Sequence, residues 1–287
     1  MKWVFALNAE SVERYGDFAR VAVVSAKRHS SLDAVCLFDG EEDEFTRWLQ
    51  AQGVEVLHVR SRFYNDIQAV ANARNGAGCA RIATGAFLRL EIPRIAREYD
   101  WKDEFVFYTD CDVIFERDPY PLLETLRPHL FAATPETFKN KPLHMNTGAM
   151  WMNIKALEDP ELDAWTRANM EKCLNFHFDQ AVFRVFYNPL HRLAWRLGIP
   201  NSLFYGLMSR VPLHSWKWDD LPLELNWKPY WGPNLHACVI HFHGLKPTQR
   251  FELERKTLPS FISTMQTPFF DECATKWDDW LEKARTA

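Results

Sequence analysis

Short apolar blocks alternate with longer, periodically apolar segments through residues 1 to 109. WVFAL (3–7), LDAVCLFDG (32–40), VEVLHV (54–59) and FVFYT (105–109) each read as a strand. They are largely apolar rather than alternating, the pattern of strands buried on both faces of a parallel sheet. Residues 11 to 29 place Val12, Tyr15, Phe18, Ala19, Ala22 and Val23 at helical spacing. EEDEFTRWLQAQG (41–53) predicts a helix with an acidic start, closed by Gly53. Residues 60 to 78 are polar and contain glycine, which predicts a loop. CARIATGAFLRLEIPRIAREY (79–99) predicts a helix interrupted at Pro93. This alternation predicts an α/β fold whose ligands gather at the carboxyl ends of the strands.

The second half is less regular. LHMNTGAMWMNI (143–154) predicts a buried strand or strand pair, and residues 156–174 and 178–187 read as helical. Residues 198–234 predict a loop-rich stretch carrying Trp216, Trp218, Trp227, Tyr230 and Trp231. ACVIHFHG (237–244) predicts a final strand. Near the end, Phe269, Phe270, Cys273, Trp277, Trp280 and Leu281 recur at helical spacing, which predicts a helix docked on the core. Its alternative is contact with a membrane surface, for which it has few basic residues. No internal repeat or linker divides the chain, so a single domain over 1–287 is expected.

The fourth strand, FVFYT, runs directly into Asp110-Cys111-Asp112. In an extended backbone residues two apart share a face, so both carboxylates converge at the ligand edge of the sheet. Two carboxylates so placed repel unless a cation lies between them or one holds a proton. A hard divalent cation, Mn²⁺ or Mg²⁺, suits such a pair, with positions left for substrate phosphates. The plain alternative is a solvated strand end.

Composition narrows the partners. The net charge of −4 gives no electrostatic footprint for nucleic acid. No window approaches the roughly 18 apolar residues of a transmembrane helix, and the apolar run at 3–7 is too short for a signal peptide. Six cysteines are scattered without a C-x-x-C pair, which favours a reducing, cytoplasmic location.

Five stretches read in order, ARIATGAFLRLEIP, FYTDCDVIF, MNTGAMWMN, FDQAVF and IHFHGLKP, resemble glycosyltransferase family 8, whose members have the GT-A fold. The resemblance covers roughly residues 3 to 248. It implies a single GT-A catalytic domain with a mixed, mostly parallel sheet. Residues 1–135 would form the nucleotide-sugar and metal half, 136–248 the donor-sugar and acceptor half, and 249–287 a helical extension. The implied activity is that of a retaining hexosyltransferase. It would move a sugar from a nucleotide sugar, a UDP-sugar such as UDP-hexose, to an acceptor hydroxyl in glycan or cell-surface polysaccharide synthesis. The acceptor would be a glycan, a lipid-linked sugar or a protein.

The resemblance also implies roles. Asp110, Asp112 and His241 would hold Mn²⁺ or Mg²⁺, and Gly244 and Lys246 would sit at the diphosphate. His241 and His243 share a strand face, so the pattern alone leaves open which is the ligand. Arg89 would reach the donor, Asn146 would line its sugar, and Gly148 would let the backbone approach a ligand closely. Asp179 would touch sugar hydroxyls and Gln180 would lie beside the anomeric carbon. Asn8 stands where the family usually has an acidic residue reading the base, and Glu136 takes the place of an acidic residue on the strand after the metal site. Two other readings compete. An apolar strand followed by Asp110, Asp112 and Val113 also resembles the start of haloacid-dehalogenase-type phosphatases, although their downstream acidic pair is missing. The second is a nucleotide-sugar-binding protein without turnover.

Overall fold

The apolar blocks of the first half lie side by side in a computed structural model, which describes residues 1–73, 77–140, 144–208 and 218–287, with backbone alone at 77–79. Strands β1 (Lys2–Asn8), β2 (Asp33–Asp39), β3 (Glu55–His58) and β4 (Phe105–Thr109) are mutually parallel. Beyond them come β5 (Val113–Phe115), β6 (Phe131–Pro135), β7 (Met145–Asn153), β8 (Trp218–Asp220) and β9 (Val239–His241). The main sheet has the order β3-β2-β1-β4-β7-β6-β8, and β7 runs antiparallel to both neighbours. The fold is therefore α/β, with a mixed, mostly parallel sheet.

Alternate residues of β1 feed opposite cores: Trp3 and Phe5 face one side, Val4 the other. Helix α1 (Val12–His29) covers the first side. Helices α2 (Glu44–Ala51), α3 (Tyr64–Ala73), α4 (Ala77–Phe87) and α5 (Ile92–Glu98) follow in the crossovers, and α6 (Tyr120–Leu123) follows β5. The second half adds α7 (Leu162–Ala168), α8 (Met170–Asn175), α9 (Asp179–Val185), α10 (Pro189–Arg196) and α11 (Asn201–Met208). Short helices α12 (Arg250–Glu254) and α13 (Ser260–Ser263) lead to α14 (Pro268–Thr286). As its spacing predicts, α14 docks on the core: Phe269, Phe270, Cys273, Trp277 and Leu281 are buried, and Trp277 lies 5.1 Å from Phe18 of α1.

Several expectations need correction. The stretch 60–78 is not a loop throughout, because α3 occupies Tyr64–Ala73; residues 74–76 lie outside the described residues. Ile67 and Ala71, four apart, give α3 a narrow buried stripe while Asn65 and Asn72 face solvent. Residues 201–208, expected to be loop, form α11, whereas helix begins only at Leu162 in the segment 156–174. The expected strand at 237–244 shortens to Val239–His241 and leaves the main sheet, pairing antiparallel with β5. Leu143 and Trp216 lie outside the described residues. A tight 3₁₀ turn, Leu88–Glu91, separates α4 from α5 and carries Arg89.

Candidate active site

Strand β4 ends at the ligand edge of the sheet. The Asp110 N–H still donates to the Gly148 carbonyl of β7 at 2.9 Å. The chain then turns away through Cys111 and Asp112, and β5 begins a two-stranded sheet in which Val113 faces His241. That register brings distant residues together: His241 Nε2 lies 3.3 Å from Asp112 Oδ1 and 3.9 Å from Asp110 Oδ2. One ligand atom from each of these three residues falls within 4.8 Å of the others. His243 turns elsewhere, with Nδ1 2.8 Å from the Tyr230 hydroxyl. Geometry thus separates two histidines that the sequence pattern could not.

Cations surround the carboxylates. Arg89, buried, donates to Asp110 Oδ1 at 2.7 Å and to the Thr147 carbonyl, and its Nε lies 2.9 Å from Asp179 Oδ2. Its guanidinium also covers the Tyr108 ring at 4.4 Å. Lys246 pairs with Asp112 Oδ2 and donates to the Phe242 carbonyl at 2.5 Å. Burial alone would raise the Asp112 carboxyl, but Lys246 outweighs it and holds it well below the usual range. Asp179 goes the other way: burial pushes its carboxyl up to about 7 despite Arg89, and Asp110 adds to the rise.

Asp179 and Gln180 open α9 just after His177 and Phe178, which have φ of 64° and 56°. Left-handed backbone at two adjacent non-glycine residues is strained, and the surrounding packing has to hold it. Gln180 is locked on both ends of its amide. Oε1 accepts from the Thr147 N–H at 2.9 Å, and Nε2 donates to Glu136 Oε1 at 3.0 Å. Arg184 holds the other Glu136 oxygen at 2.8 Å. Burial would raise the Glu136 carboxyl, but Arg184 outweighs it and keeps it low.

The glycines are places of close approach. A Cβ on Gly148 would lie 2.1 Å from His241 Cε1, so the tight neighbour there is the imidazole. Gly244 has φ of +83°, and a Cβ there would strike Met265 Sδ at 2.3 Å. Asn8 spends its amide nitrogen on the Arg81 carbonyl and Thr84 Oγ1, both at 2.6 Å, which leaves Oδ1 buried and unpartnered.

A cleft of about 340 Å³ joins these residues, running from Asn8 and Tyr15 past Asp110, Asp112 and Lys246 to Asn146, Asp179 and Gln180. A larger groove of about 710 Å³, beside His29 and Cys238, holds none of them. Gly148, Gly244 and His241 are not among the cleft's lining residues. Tyr108, Arg184 and Asn226 belong to the site's framework, and no sequence signal singles them out. Asn226 reaches His241 Nδ1 at 2.8 Å. In the aromatic segment Trp227 is buried, with Lys139 over its ring at 4.1 Å, while Trp218 and Trp231 are half-buried against the core.

Comparison of the whole fold places this edge in a known architecture. The structure superposes on galactosyltransferase LgtC, solved with donor and acceptor sugar analogues, with a TM-score of 0.57 and 16% identity over 93% of this chain and 100% of that one. Glycosyltransferase GlyE of Streptococcus pneumoniae TIGR4 matches with a TM-score of 0.51 and 15% identity over 98% of this chain and 63% of that one. Mouse xyloside xylosyltransferase 1 gives 0.50 and 13% identity, over 84% and 96%. This chain has the GT-A fold. No family model matches the sequence, and no curated protein matches it.

Within this GT-A fold, the three-residue cluster fits a divalent cation. Asp112 Oδ1 is buried and unpartnered, since His241 Nε2 at 3.3 Å is not aligned to donate to it. Two acceptor atoms turned to a common point without a proton between them are a donor set for a metal. Two carboxylates and one imidazole are also hard enough for Mn²⁺ or Mg²⁺.

Proposed function

We propose that the protein is a metal-dependent glycosyltransferase that uses a nucleoside-diphosphate sugar, with Asp110, Asp112 and His241 holding the cation. The observation that carries this reading is the orphaned Asp112 oxygen facing His241 at the ligand edge of a GT-A sheet. The cation, when bound, offsets negative charge on the departing diphosphate, the main electrostatic demand of the reaction. Lys246 adds a second positive charge beside Asp112, within reach of the same leaving group.

The chain's own groups set the rest. Arg89 and Asp179 fix each other against the donor sugar, and Asn146 lines it. Gln180, with both ends of its amide engaged, orients and does not attack. A departing phosphate oxygen then takes the acceptor proton, and the configuration at the anomeric carbon is retained. Asn8 Oδ1 is an acceptor without a partner at the Asn8 end of the cleft and suits a base that offers an N–H, uracil at N3 among them. UDP is the nucleotide we assign, and Mn²⁺ the metal. The described cysteines are buried free thiols, which fits the expected cytoplasmic location.

The test is a panel of sugar nucleotides with and without Mn²⁺. The reading expects metal-dependent release of nucleoside diphosphate from one donor, abolished in Asp112→Asn. Hydrolysis of a simple phosphomonoester with no response to any sugar nucleotide would instead establish the phosphatase reading. Binding of a sugar nucleotide without turnover, with and without acceptors, would leave a binding protein.

A further inference from the structure

We propose that Asn226 is a positioning residue that dictates which nitrogen of His241 carries the proton, and thereby makes the cluster competent to hold a cation. The inference rests on the metal reading above. The side chain is fully buried, at 0% exposure, and all its polar contacts are internal.

The assignment follows atom by atom from a group of fixed polarity. The Gly148 N–H can only donate, and it reaches an amide atom of Asn146 at 3.1 Å, so that atom is Oδ1. The same Oδ1 lies 3.1 Å from one amide atom of Asn226, which must therefore be the donor Nδ2. Nδ2 also donates to Thr134 Oγ1 at 2.8 Å. The remaining atom of Asn226 is then Oδ1, an acceptor only, and it sits 2.8 Å from His241 Nδ1. Nδ1 consequently carries a proton, and in the neutral ring Nε2 presents its lone pair toward Asp112 and Asp110. With the opposite tautomer, Nε2 would aim a proton at the cation's place.

The backbone makes this relay stiff. The Trp227 N–H donates to the Val239 carbonyl and the His241 N–H to the Trp227 carbonyl, both at 2.8 Å. Asn226 is thus tied to the free edge of β9, beside the histidine it addresses. Partners of this kind, which orient a ligating histidine through its second nitrogen, typically change metal affinity by ~10–100-fold when removed.

The experiment has two readouts on metal-free protein and on protein titrated with Mn²⁺. Nitrogen-15 NMR of the histidine rings, with His241 identified by its loss in His241→Ala, reports the tautomer. Paramagnetic titration reports Mn²⁺ affinity. Wild type is expected to show His241 protonated at Nδ1. Asn226→Leu should lose that preference and bind Mn²⁺ about 10–100-fold more weakly, while Asn226→Asp, which still accepts from Nδ1–H but loses the donations to Asn146 and Thr134, keeps the Nδ1–H tautomer at a cost in stability. An Nε2–H tautomer in wild type, or unchanged affinity in folded Asn226→Leu, overturns the proposal. If Asn226→Leu fails to fold, the wild-type tautomer decides it. Wild type that binds no divalent cation defeats the metal reading itself, and the ring spectrum still decides the tautomer.

Discussion

Replacing Gly148 with alanine probes the site through a single added carbon. The residue lies in β7, and its backbone is not in the left-handed region, so torsion is no obstacle. Space is the obstacle. The new Cβ would fall 2.1 Å from His241 Cε1 and 2.8 Å from both His241 Nδ1 and Asn146 Oδ1. Carbon atoms in contact sit ~3.5–4.0 Å apart, so the imidazole would have to retreat by about 1.5 Å. It cannot do so freely, because the His241 backbone N–H donates to the Trp227 carbonyl and the ring Nδ1 is bonded to Asn226, both at 2.8 Å. Ligand positions tolerate only ~0.2 Å before a metal site fails. We therefore expect Gly148→Ala to weaken Mn²⁺ binding by about 100-fold and to lower stability by ~1–3 kcal/mol, the usual penalty of overpacking. Paramagnetic titration and thermal melting measure the two effects. Gly206→Ala is the control: in α11 an added Cβ meets nothing within 4 Å. It should leave Mn²⁺ binding alone and raise stability by roughly 0.5–1 kcal/mol. A folded Gly148→Ala protein with wild-type Mn²⁺ affinity would refute the placement of His241 as a ligand.

Lys246→Gln should separate binding from turnover, because the lysine competes with a cation for Asp112 while supplying charge to the leaving group. Mn²⁺ affinity should hold or rise a few-fold, and turnover should fall by ~10²–10³; a parallel loss of both would contradict this division. Asp179 has a folded carboxyl pushed up to about 7, so the unfolded chain releases that proton first as pH rises. Its contribution to stability therefore declines from about pH 4 to about pH 7 and is level above. In ligand-free melts the advantage of Asp179→Asn over wild type should grow across that window; an advantage that shrinks would reverse the sign. Asn8→Asp should destabilise by ~1–3 kcal/mol, since the Arg81 carbonyl at 2.6 Å would face an acceptor in place of a donor. Chemical denaturation measures it, and a neutral result would mean that the Asn8 amide is not locked by α4.

The first half of the fold was legible because its strands are buried on both faces and so read as unbroken apolar runs. FVFYT became β4 with the expected end at Thr109. The direction of β7 was not legible, since an apolar run carries no sign of whether its partner is parallel or antiparallel. Helix α3 was missed because only Ile67 and Ala71 bury fully, too little to outweigh its polar residues. The motifs pointed to Asp110, Asp112, His241 and Lys246, which the structure brings together, whereas setting His241 apart from His243 needed the β5–β9 register. Asn226 could not be found at all. Its partners Thr134, Asn146 and His241 stand 92, 80 and 15 residues away, and one asparagine before a tryptophan carries no pattern.

The charge pattern explains how Asp110, Asp112 and Asp179 share one cleft with Glu136, which has Arg184 as its own partner. Asp110 and Asp179 are spanned by one guanidinium, and Asp112 has an ammonium of its own. Two cations therefore face three carboxylates, a shortfall of one positive charge that falls hardest on the most deeply enclosed acid. That acid is Asp179, whose carboxyl is raised first by burial and further by the charge of Asp110, which Arg89 only partly offsets. A divalent cation at Asp110, Asp112 and His241 would overturn the shortfall, and a diphosphate arriving with it would bring negative charge back. Among Asp110, Asp112 and Asp179 this edge is one positive charge short, and the sign of the missing charge is that of a cation.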